Sequence, residues 1–381
     1  SSGLVEFASV TAYDNSVASG QLSTTLGGDT TIENYMGAGT TKVILSGSET
    51  LTTSTYTLTI SANVTLEVAS GRTLTIAGAI TKTASGATIT GAGNVIFSSI
   101  AAYDATSDNS DIGSAIASDR TLSKYNTSGT TKVIIASGEA LTINATKTLT
   151  IASGVTLQVA SGRTLTIAST GTLTSTAGIV ENDGTIACSD TITSGSNFTG
   201  SSGLVEFTSV AAYDASVESG DRLGTSLGGN RTIANYMGVG TTKVILSGSE
   251  TLTTSTHTLI ISANVTLEVA SGRTLTIAGA ITKNGAITGA GDVIFSSIAA
   301  YDATSDNSSN TIGSAITAAT RTLNKYNTTG TTKVIISNSE TLTINVAAEF
   351  TIASGVTLEI GSTETLTNAG IIVKNSGGTF T

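Results

Sequence analysis

The sequence predicts an all-β protein, a parallel β-solenoid (β-helix) made of four repeats of about 100 residues, with short helical or loop excursions. Two observations predict this fold. Long segments of the chain return almost unchanged, and short Thr-rich tracts alternate polar with apolar residues between regularly placed turns.

The repeats have two periods. The segment Ser1–Asp14 returns at Ser201–Asp214, and Gly39–Thr55 returns at Gly240–Thr256, which gives a period of about 200 residues. A weaker period of about 100 residues lies inside it, because every quarter carries Tyr-Asp, a later Tyr and Gly-Thr-Thr-Lys-Val-Ile in that order. The order A-B-A-B predicts four solenoid repeats: A1 (1–93), B1 (94–200), A2 (201–291) and B2 (292–381).

The Thr-rich tracts are predicted to be strands. In Thr57–Ile60, Thr65–Val68 and Thr73–Ile76 polar and apolar residues alternate, which is the period of a strand with one buried side. Turn residues separate these tracts. Such short strands cannot form a core alone, but stacked coils of roughly 16–24 residues bury the apolar side continuously. An antiparallel sandwich is the alternative, and the uniform turns favour the solenoid.

The variable part of each repeat is predicted to leave the coil. In the A repeats the pairs Gly27-Gly28 and Gly228-Gly229 indicate a loop with at most one helical turn. In the B repeats a spacing near 3.6 residues predicts one short helix, formed by Ile312, Ile316, Ala319, Leu323 and Tyr326 in B2 and by Ile112, Ile116, Leu122 and Tyr125 in B1.

Composition excludes several classes of function. A net charge of −10 argues against a nucleic-acid partner, whose phosphates require basic patches. A single His and a single Cys exclude a His/Cys metal cluster and a disulfide framework within the chain. No apolar run approaches the ~18 residues of a membrane-spanning helix.

Isolated reactive residues are predicted to be structural. His257 stands where repeat A1 has Tyr56, so we expect an outward-facing strand residue and no catalytic base. Cys188 has no His in its own repeat, so we expect a small buried residue, with an intermolecular disulfide as the alternative. Four Tyr-Asp pairs are predicted to hold turns, with Asp accepting from backbone amides: Tyr13-Asp14, Tyr103-Asp104, Tyr213-Asp214 and Tyr301-Asp302.

An acidic cluster in repeat B1 is a candidate cation site. Asp104, Asp108, Asn109 and Asp111 offer oxygen ligands that would suit calcium, the only cofactor that the sequence suggests. The spacing is not that of an EF-hand loop, and a solvated Ser/Asp loop is the other interpretation.

Charged and hydroxyl residues also recur on the outward side of the strands. Lys42 and Arg72 are expected to form ion-pair ladders with Glu67, worth roughly 0–1 kcal/mol for each exposed pair. The pairs Thr57/Thr59 and Thr73/Thr75 would stack into a hydroxyl grid similar to that of ice-binding solenoids. Glu67 and Arg72 interrupt such a grid.

The two ends of the sequence predict self-assembly. When the last residues are placed before the first ones, the joint nearly reproduces the internal junction at 194–207. Neither end shows the polar capping repeat that an open solenoid requires. We therefore expect a head-to-tail homo-oligomer joined through Ser1, Ser2, Gly3, Leu4, Val5, Phe7, Gly378, Thr379, Phe380 and Thr381.

The coils of the type Gly-Thr-Leu-Thr and Leu-Thr-Asn-Ala-Gly-Ile, here Thr365–Ile371, resemble those of parallel β-solenoid repeat proteins of bacterial and archaeal cell surfaces. The resemblance implies an extracellular fibrous, adhesive or envelope role. That family also includes polysaccharide lyases and tailspikes, which cleave sugars with clustered charged residues on one face. No unique cluster breaks the repeat here, so we expect no enzyme.

These observations together predict a structural subunit of an extracellular β-solenoid filament or surface fibre. The alternative is a rod segment of a tandem-repeat adhesin, whose loops at 105–111, at 304–311 and around Gly27 and Gly228 would meet a glycan or another surface ligand. An ice-binding protein and a polysaccharide-active enzyme are the less favoured alternatives.

Overall fold

A computed structural model describes the chain in the following segments: 3–35, 37–46, 51–53, 55–106, 111–126, 128–193, 197–199, 202–236, 240–247, 252–253, 256–304, 310–317, 319–327, 329–337 and 339–381. The chain divides into two units, of which the first comprises Ser1–Ala187 with Thr191–Gly203 and the second Cys188–Asp190 with Leu204–Thr381.

The first unit contains two short helices, α1 (Val10–Asp14) and α2 (Ile100–Asp104). Its strands are β1 (Leu4–Phe7), β2 (Thr30–Ile32), β3 (Thr40–Leu45), β4 (Leu51–Thr52), β5 (Thr57–Ile60), β6 (Val64–Val68), β7 (Thr73–Ile76), β8 (Ala79–Lys82), β9 (Thr88–Thr90), β10 (Asn94–Phe97), β11 (Ala115–Ile116), β12 (Arg120–Leu122), β13 (Thr130–Ile135), β14 (Leu141–Ile143), β15 (Thr148–Ile151), β16 (Val155–Val159), β17 (Thr164–Ile167), β18 (Thr172–Ser175), β19 (Ile179–Asn182), β20 (Thr185–Cys188), β21 (Thr191–Ile192) and β22 (Asn197–Thr199). The last residue of β20 is counted with the second unit.

In its described residues the second unit has the short helices α3 (Val210–Ser216) and α4 (Ile298–Asp302). Its strands are β23 (Leu204–Phe207), β24 (Arg231–Ile233), β25 (Thr241–Leu246), β26 (Leu252–Thr253), β27 (Thr258–Ile261), β28 (Val265–Val269), β29 (Thr274–Ile277), β30 (Ala280–Lys283), β31 (Ala286–Thr288), β32 (Asp292–Phe295), β33 (Ala315–Ile316), β34 (Thr320–Leu323), β35 (Thr332–Ile336), β36 (Thr341–Ile344), β37 (Glu349–Ile352), β38 (Val356–Ile360), β39 (Thr365–Asn368), β40 (Ile371–Lys374) and β41 (Thr379–Phe380).

The strands form a parallel solenoid with three strands in a regular coil, as the sequence predicts. Strand β3 pairs in parallel with β6, and β6 pairs in parallel with β9. The register places Val43 beside Leu66 and Leu66 beside Ile89, so that identical faces of successive coils lie on one another. Stacking of this kind lets every coil cover the apolar side of the one before it.

The core consists of the inward residues of these alternating strands. In β7, Leu74 and Ile76 are fully buried, while Thr73 and Thr75 point outward and are half-buried. Full burial of a Leu or Ile side chain contributes about 1.5–3 kcal/mol. The turns that separate the strands lie where the sequence predicts them, and Gly71 turns the chain with a φ of +74°, a conformation that favours glycine.

In each unit the opening strand of the second repeat lies in a different sheet from the opening strand of the first repeat. The second repeat thus starts one sheet later around the coil. In the first unit β1, β3, β6 and β9 share one sheet, but β10, which opens repeat B1, pairs with β7 of the neighbouring sheet. In the second unit β23, β25, β28 and β31 share a sheet, and β32, which opens repeat B2, pairs with β29.

The helices predicted in the B repeats are wrong in position. The described parts of 112–125 and 312–326 contain the short strands β11, β12, β33 and β34. Ile116 and Leu122 point inward from two successive strands, and the corner between them makes their spacing resemble that of a helix. The A repeats have loops around Gly27 and Gly228, as predicted.

The four helices within the described segments lie instead on the stretches that end in or contain Tyr-Asp. Each begins after a serine whose hydroxyl accepts the N–H of the third following residue, as Ser99 accepts from Ala102 at 2.9 Å. Helix α2 contacts β10 and β13, so it covers one corner of the coil. Within the described residues, no helix has the length and apolar character needed to span a membrane.

Candidate assembly edges and other candidate sites

The last coil of the second unit ends in a partly exposed apolar edge. Each of its inward apolar residues lies on a fully buried residue of the coil before it: Leu366 on Leu342, Ile372 on Phe350 and Phe380 on Leu358. Leu366 and Ile372 are only half-buried, and Phe380 is 44% exposed. This edge contains Gly378, Thr379, Phe380 and Thr381, for which the sequence predicts self-assembly.

The first strand of the first unit is the complementary edge. Strand β1 pairs with β3 on one side, with Val5 beside Thr41. Val5 is half-buried and Leu4 is 59% exposed, whereas Phe7 is buried. Gly3, Leu4, Val5 and Phe7 of the predicted assembly residues therefore lie at this edge, and Ser1 and Ser2 lie outside the described residues.

The joint between repeats A1 and B1 shows how such an edge is covered inside the chain. Ile89 lies beside Leu66 in β9, and the chain then turns and places Val95 beside Leu74 of the neighbouring sheet. Val95 follows Ile89 by six positions. All four side chains are buried, with an exposure of 2% or less.

The joint between repeats A2 and B2 has the same geometry in the second unit. Ile287 lies beside Leu267, and Val293 lies beside Leu275. Val293 again follows Ile287 by six positions. Val95 and Val293 are 0% exposed, so the half-buried state of Val5 marks the lack of a preceding coil in the described chain.

A glycine precedes each of these valines by two positions because the joint has no room for a side chain. A Cβ at Gly93 would collide with the carbonyl oxygens of Ala69 and Arg72, and a Cβ at Gly291 would collide with those of Ala270 and Arg273. Gly3 stands at the same distance before Val5. The sequence identified Gly3 among the assembly residues but not Leu366 and Ile372, because the step of one sheet at each joint is visible only in the pairing of the strands.

The acidic cluster of repeat B1 is only partly described. The carboxylate of Asp104 accepts the backbone N–H groups of Ile112 and Gly113, each at 2.7 Å. Asp108 and Asn109 lie outside the described residues, and the backbone carbonyl of Asp111 accepts from Arg120 Nε at 2.8 Å. Among the residues that are described, no three His, Cys, Asp or Glu side chains form a metal-binding group. Calcium binding by the whole cluster stays a prediction.

The Tyr-Asp pairs hold the excursions onto the coil, which confirms their predicted structural role. Each Asp carboxylate accepts two backbone N–H groups eight to eleven residues further on, as Asp214 does from Leu223 and Gly224 at 2.7 Å. Each Tyr packs edge-to-face against a buried Phe of the opening strand, and a second Tyr packs on the same Phe.

Two further sets of hydrogen bonds from the backbone to side chains, which also hold the excursions, were not predicted from the sequence. In repeat B1 the buried hydroxyl of Thr131 accepts the backbone N–H of Tyr125 at 2.8 Å, and the other repeats contain the same bond. The carboxylate of Glu139 accepts the N–H groups of Ile100 and Ala101 at 3.0 Å, and Glu340 has the same role in repeat B2. The recurrence of these residues at fixed places in the repeats was the available signal.

The predicted ion-pair ladder forms around lysines. Lys42 Nζ lies 2.7 Å from a carboxylate oxygen of Glu67 and 3.1 Å from one of Glu6, on the outward face of one sheet. Hydrogen bonds with Glu67 and Glu6 raise the pKa of Lys42 above its ordinary value. Lys243 makes equivalent contacts with Glu206 and Glu268.

The isolated His and Cys lie in different environments. His257 is half-buried in a turn before β27, so the prediction of a strand residue is wrong. The register shift is small, because the strand begins at the next residue. Cys188 is fully buried, as predicted, and burial raises the pKa of its thiol to about 12.

The predicted threonine grid forms only in part where the sequence places it. On β5, Thr59 lies between Thr31 and Thr81, but Thr57 has Ala79 as a neighbour. On β7, Thr73 has Asn94 as a neighbour and Thr75 has Ile96. A denser array was missed on the sheet of β12, β15, β18 and β21. Its outward or exposed threonines are Thr121, Thr148, Thr150, Thr172, Thr174, Thr191 and Thr193.

The chain was compared with protein-family models, curated proteins and solved structures. None of them matches it. A function for this solenoid is therefore inferred from its own edges, contacts and buried groups.

Proposed function

We propose that the chain is a structural subunit of an extracellular filament at a cell surface, formed by head-to-tail stacking of copies. One observation carries the proposal. Val5 and Leu366 are partly exposed at two different edges, although their counterparts Val95 and Leu74 cover each other completely within the chain. The exposed apolar residue at each edge could therefore be covered by the one at the other edge of a second copy.

The parallel pairing of the strands supports this role. Backbone hydrogen bonds run from coil to coil in each unit, and an edge strand presents unpaired N–H and C=O groups that accept another strand. A contact between two different surfaces that does not close on itself gives an open filament. Covering both edges by further copies satisfies these groups.

The polar groups of the repeats also favour a structural role over catalysis. The aspartates of the Tyr-Asp pairs and the glutamates Glu139 and Glu340 accept backbone N–H groups, so they are engaged in holding the fold. An extracellular place is favoured by the resemblance of the coils to cell-surface solenoids. If the chain does not assemble, the favoured interpretation is a segment of an adhesin.

The test is electron microscopy of the purified chain at neutral pH over a range of concentrations. We expect unbranched filaments whose axial repeat contains about 4.8 Å for each coil. The variant Leu366→Asp places a charge on the apolar edge and is expected to abolish assembly, because an unpaired charge is costly to bury. Val346→Asp is the matched control, since Val346 is 75% exposed in a turn of the same unit.

Two results would overturn the proposal. The wild-type chain would remain as single particles at all concentrations, or Leu366→Asp would assemble as well as Val346→Asp while both keep the β-sheet circular dichroism of the wild type. Single particles would favour the adhesin segment, which a glycan-binding screen would then test.

A further inference from the structure

We propose a specific register for the contact between copies: β1 of one copy pairs in parallel with β39 of the preceding copy, with Val5 beside Leu366. This inference rests on the proposed function. It names the partner as a second copy of this chain and identifies the strand that receives it.

The spacing of the internal joints supports this register. Phe380 lies beside Leu358 in β41, as Ile89 lies beside Leu66 in β9. If two copies are read through the contact, Val5 follows Phe380 by six positions, as Val95 follows Ile89.

The receiving strand follows from the step of one sheet at each joint. Strand β10 leaves the sheet of β9 and pairs with β7, and β32 in the same way pairs with β29. The strand of repeat B2 that corresponds to β7 is β39, because Leu366 follows Leu358 by eight positions as Leu74 follows Leu66. The first strand of the next copy therefore belongs on β39.

The register then assigns every pair of the contact. Asn94, Val95, Ile96 and Phe97 pair with Thr73, Leu74, Thr75 and Ile76 inside the chain. By the same pattern Val5 pairs with Leu366 and Phe7 with Asn368 on the inward side. Leu4 pairs with Thr365 and Glu6 with Thr367 on the outward side.

On the inward side of the contact, Asn368 differs from the A1–B1 and A2–B2 joints, where Ile76 or Ile277 lies beside the Phe. A second asparagine shows that the coil accepts this residue in its interior. Asn182 is 0% exposed, and its side-chain oxygen accepts the N–H of Gly184 at 3.2 Å. The side-chain oxygen of Asn368 accepts the N–H of Gly370 at 3.1 Å in the same way, so this oxygen already has a partner before a strand covers it.

Gly3 fits the same contact. At the internal joints Gly93 and Gly291 pass so close to the backbone of the preceding coil that no Cβ is accommodated. In the proposed contact Gly3 occupies that place against the backbone around Gly361, the residue that corresponds to Ala69. A glycine is therefore required at position 3 by a neighbour that the preceding copy supplies.

The register is tested by disulfide cross-linking between two single-cysteine additions. Chains carrying Glu6→Cys are mixed with chains carrying Thr367→Cys, and the mixture is oxidised gently. Both positions are exposed, and the native Cys188 is fully buried and remains in both chains. Paired residues on neighbouring strands lie within the Cα distance of a disulfide, about 4.4–6.8 Å, so a linked heterodimer is expected.

The matched control moves one cysteine by two residues. Thr365→Cys faces the same side as Thr367, but its diagonal distance to position 6 is about 7–8 Å, which exceeds disulfide geometry. We expect at least about tenfold less heterodimer with Thr365→Cys than with Thr367→Cys. Peptide mapping by mass spectrometry identifies the linked residues.

Electron microscopy of the same mixtures separates the two proposals. Filaments with the 6–367 link support both of them. Filaments with the 6–365 link, with links between like cysteines or with no link overturn the register and leave the filament standing. A mixture without filaments and without links overturns both.

Discussion

The ring of Phe97 packs edge-to-face against the ring of Tyr103, with the two centroids 5.1 Å apart. The same pair occurs in every repeat and joins the helical excursion to the opening strand of the coil. Phe97 is 0% exposed and Tyr103 is 3% exposed, so this contact belongs to the core. The excursions are therefore part of the folded solenoid and are not loosely attached loops.

Replacement of the ring should destabilise the coil strongly. Phe97→Ala is expected to lower the free energy of unfolding by about 3–5 kcal/mol, because it removes a large buried side chain and leaves a cavity. Phe380→Ala is the control, because Phe380 is 44% exposed at the last coil. Urea denaturation followed by circular dichroism, at a concentration where the chain is monomeric, measures both. Equal shifts of the two midpoints would contradict the assignment of Phe97 to the core.

Removal of the Asp214 carboxylate should increase local opening of the excursion whose backbone it holds. Asp214→Ala leaves the N–H groups of Leu223 and Gly224 without their acceptor, and a hydrogen bond to a charged group contributes about 1.5–3 kcal/mol. Hydrogen exchange at residues 223 and 224 should become faster. Glu218→Ala in the same excursion is the control, since Glu218 is exposed. Unchanged protection in Asp214→Ala would show that the clamp is dispensable.

Stability should decline at alkaline pH. Burial raises the pKa of Tyr103 and of Tyr301, and hydrogen bonds with Glu67 and Glu6 raise that of Lys42. The folded chain thus keeps protons that the unfolded chain loses, so this stability is complete below a pH of about 10 and is lost as the pH rises towards the folded-state pKa values.

The pH dependence can be assigned to one group. Tyr103→Phe removes a hydroxyl that titrates, so the fall of the urea midpoint between pH 9 and pH 11 should become less steep. The midpoint at pH 8 serves as the reference for each chain. A midpoint of the wild type that rises over this range would contradict the direction of the shifts.

Cys188 should be inert in the folded chain. Its thiol is fully buried with a pKa of about 12, so at pH 8 the thiolate fraction is on the order of a thousandfold below that of an ordinary cysteine. A thiol reagent should label the native chain very slowly and the urea-unfolded chain quickly. Rapid labelling without urea would show that β20 is open in solution.

The solenoid could be predicted because one local pattern decides it. In Thr73-Leu-Thr-Ile the alternation assigns Leu74 and Ile76 to the interior, and the structure buries both. The helices could not be found in this way, because α2 has only five residues and its start depends on Ser99 and on Glu139, which is distant in sequence. The spacing of Ile116 and Leu122 predicts a helix that does not form, because two strands and the corner between them match the helical period.

The candidate edges were only partly accessible from sequence. The similarity of the joints identified Val5 and Phe380, because residue types and spacing are visible in the chain. Leu366, on the strand proposed to receive β1, and Ile372, on the neighbouring strand β40, were missed, because the step of one sheet at each joint depends on how many strands the preceding coil contains. That count becomes clear only when the pairing of β10 with β7 is known.

The shift by one sheet between the opening strands of the two repeats also affects where the solenoid can accept inserted residues. In the first unit the excursion with α1 follows β1, and the excursion with α2 follows β10, which lies in a different sheet. The two excursions therefore leave the coil at different corners, and neither stands directly above the other. A foreign peptide inserted at Gly27, where the chain has open space around it, would lengthen one corner without crowding the next. The fold thus offers spaced positions for displaying guest sequences.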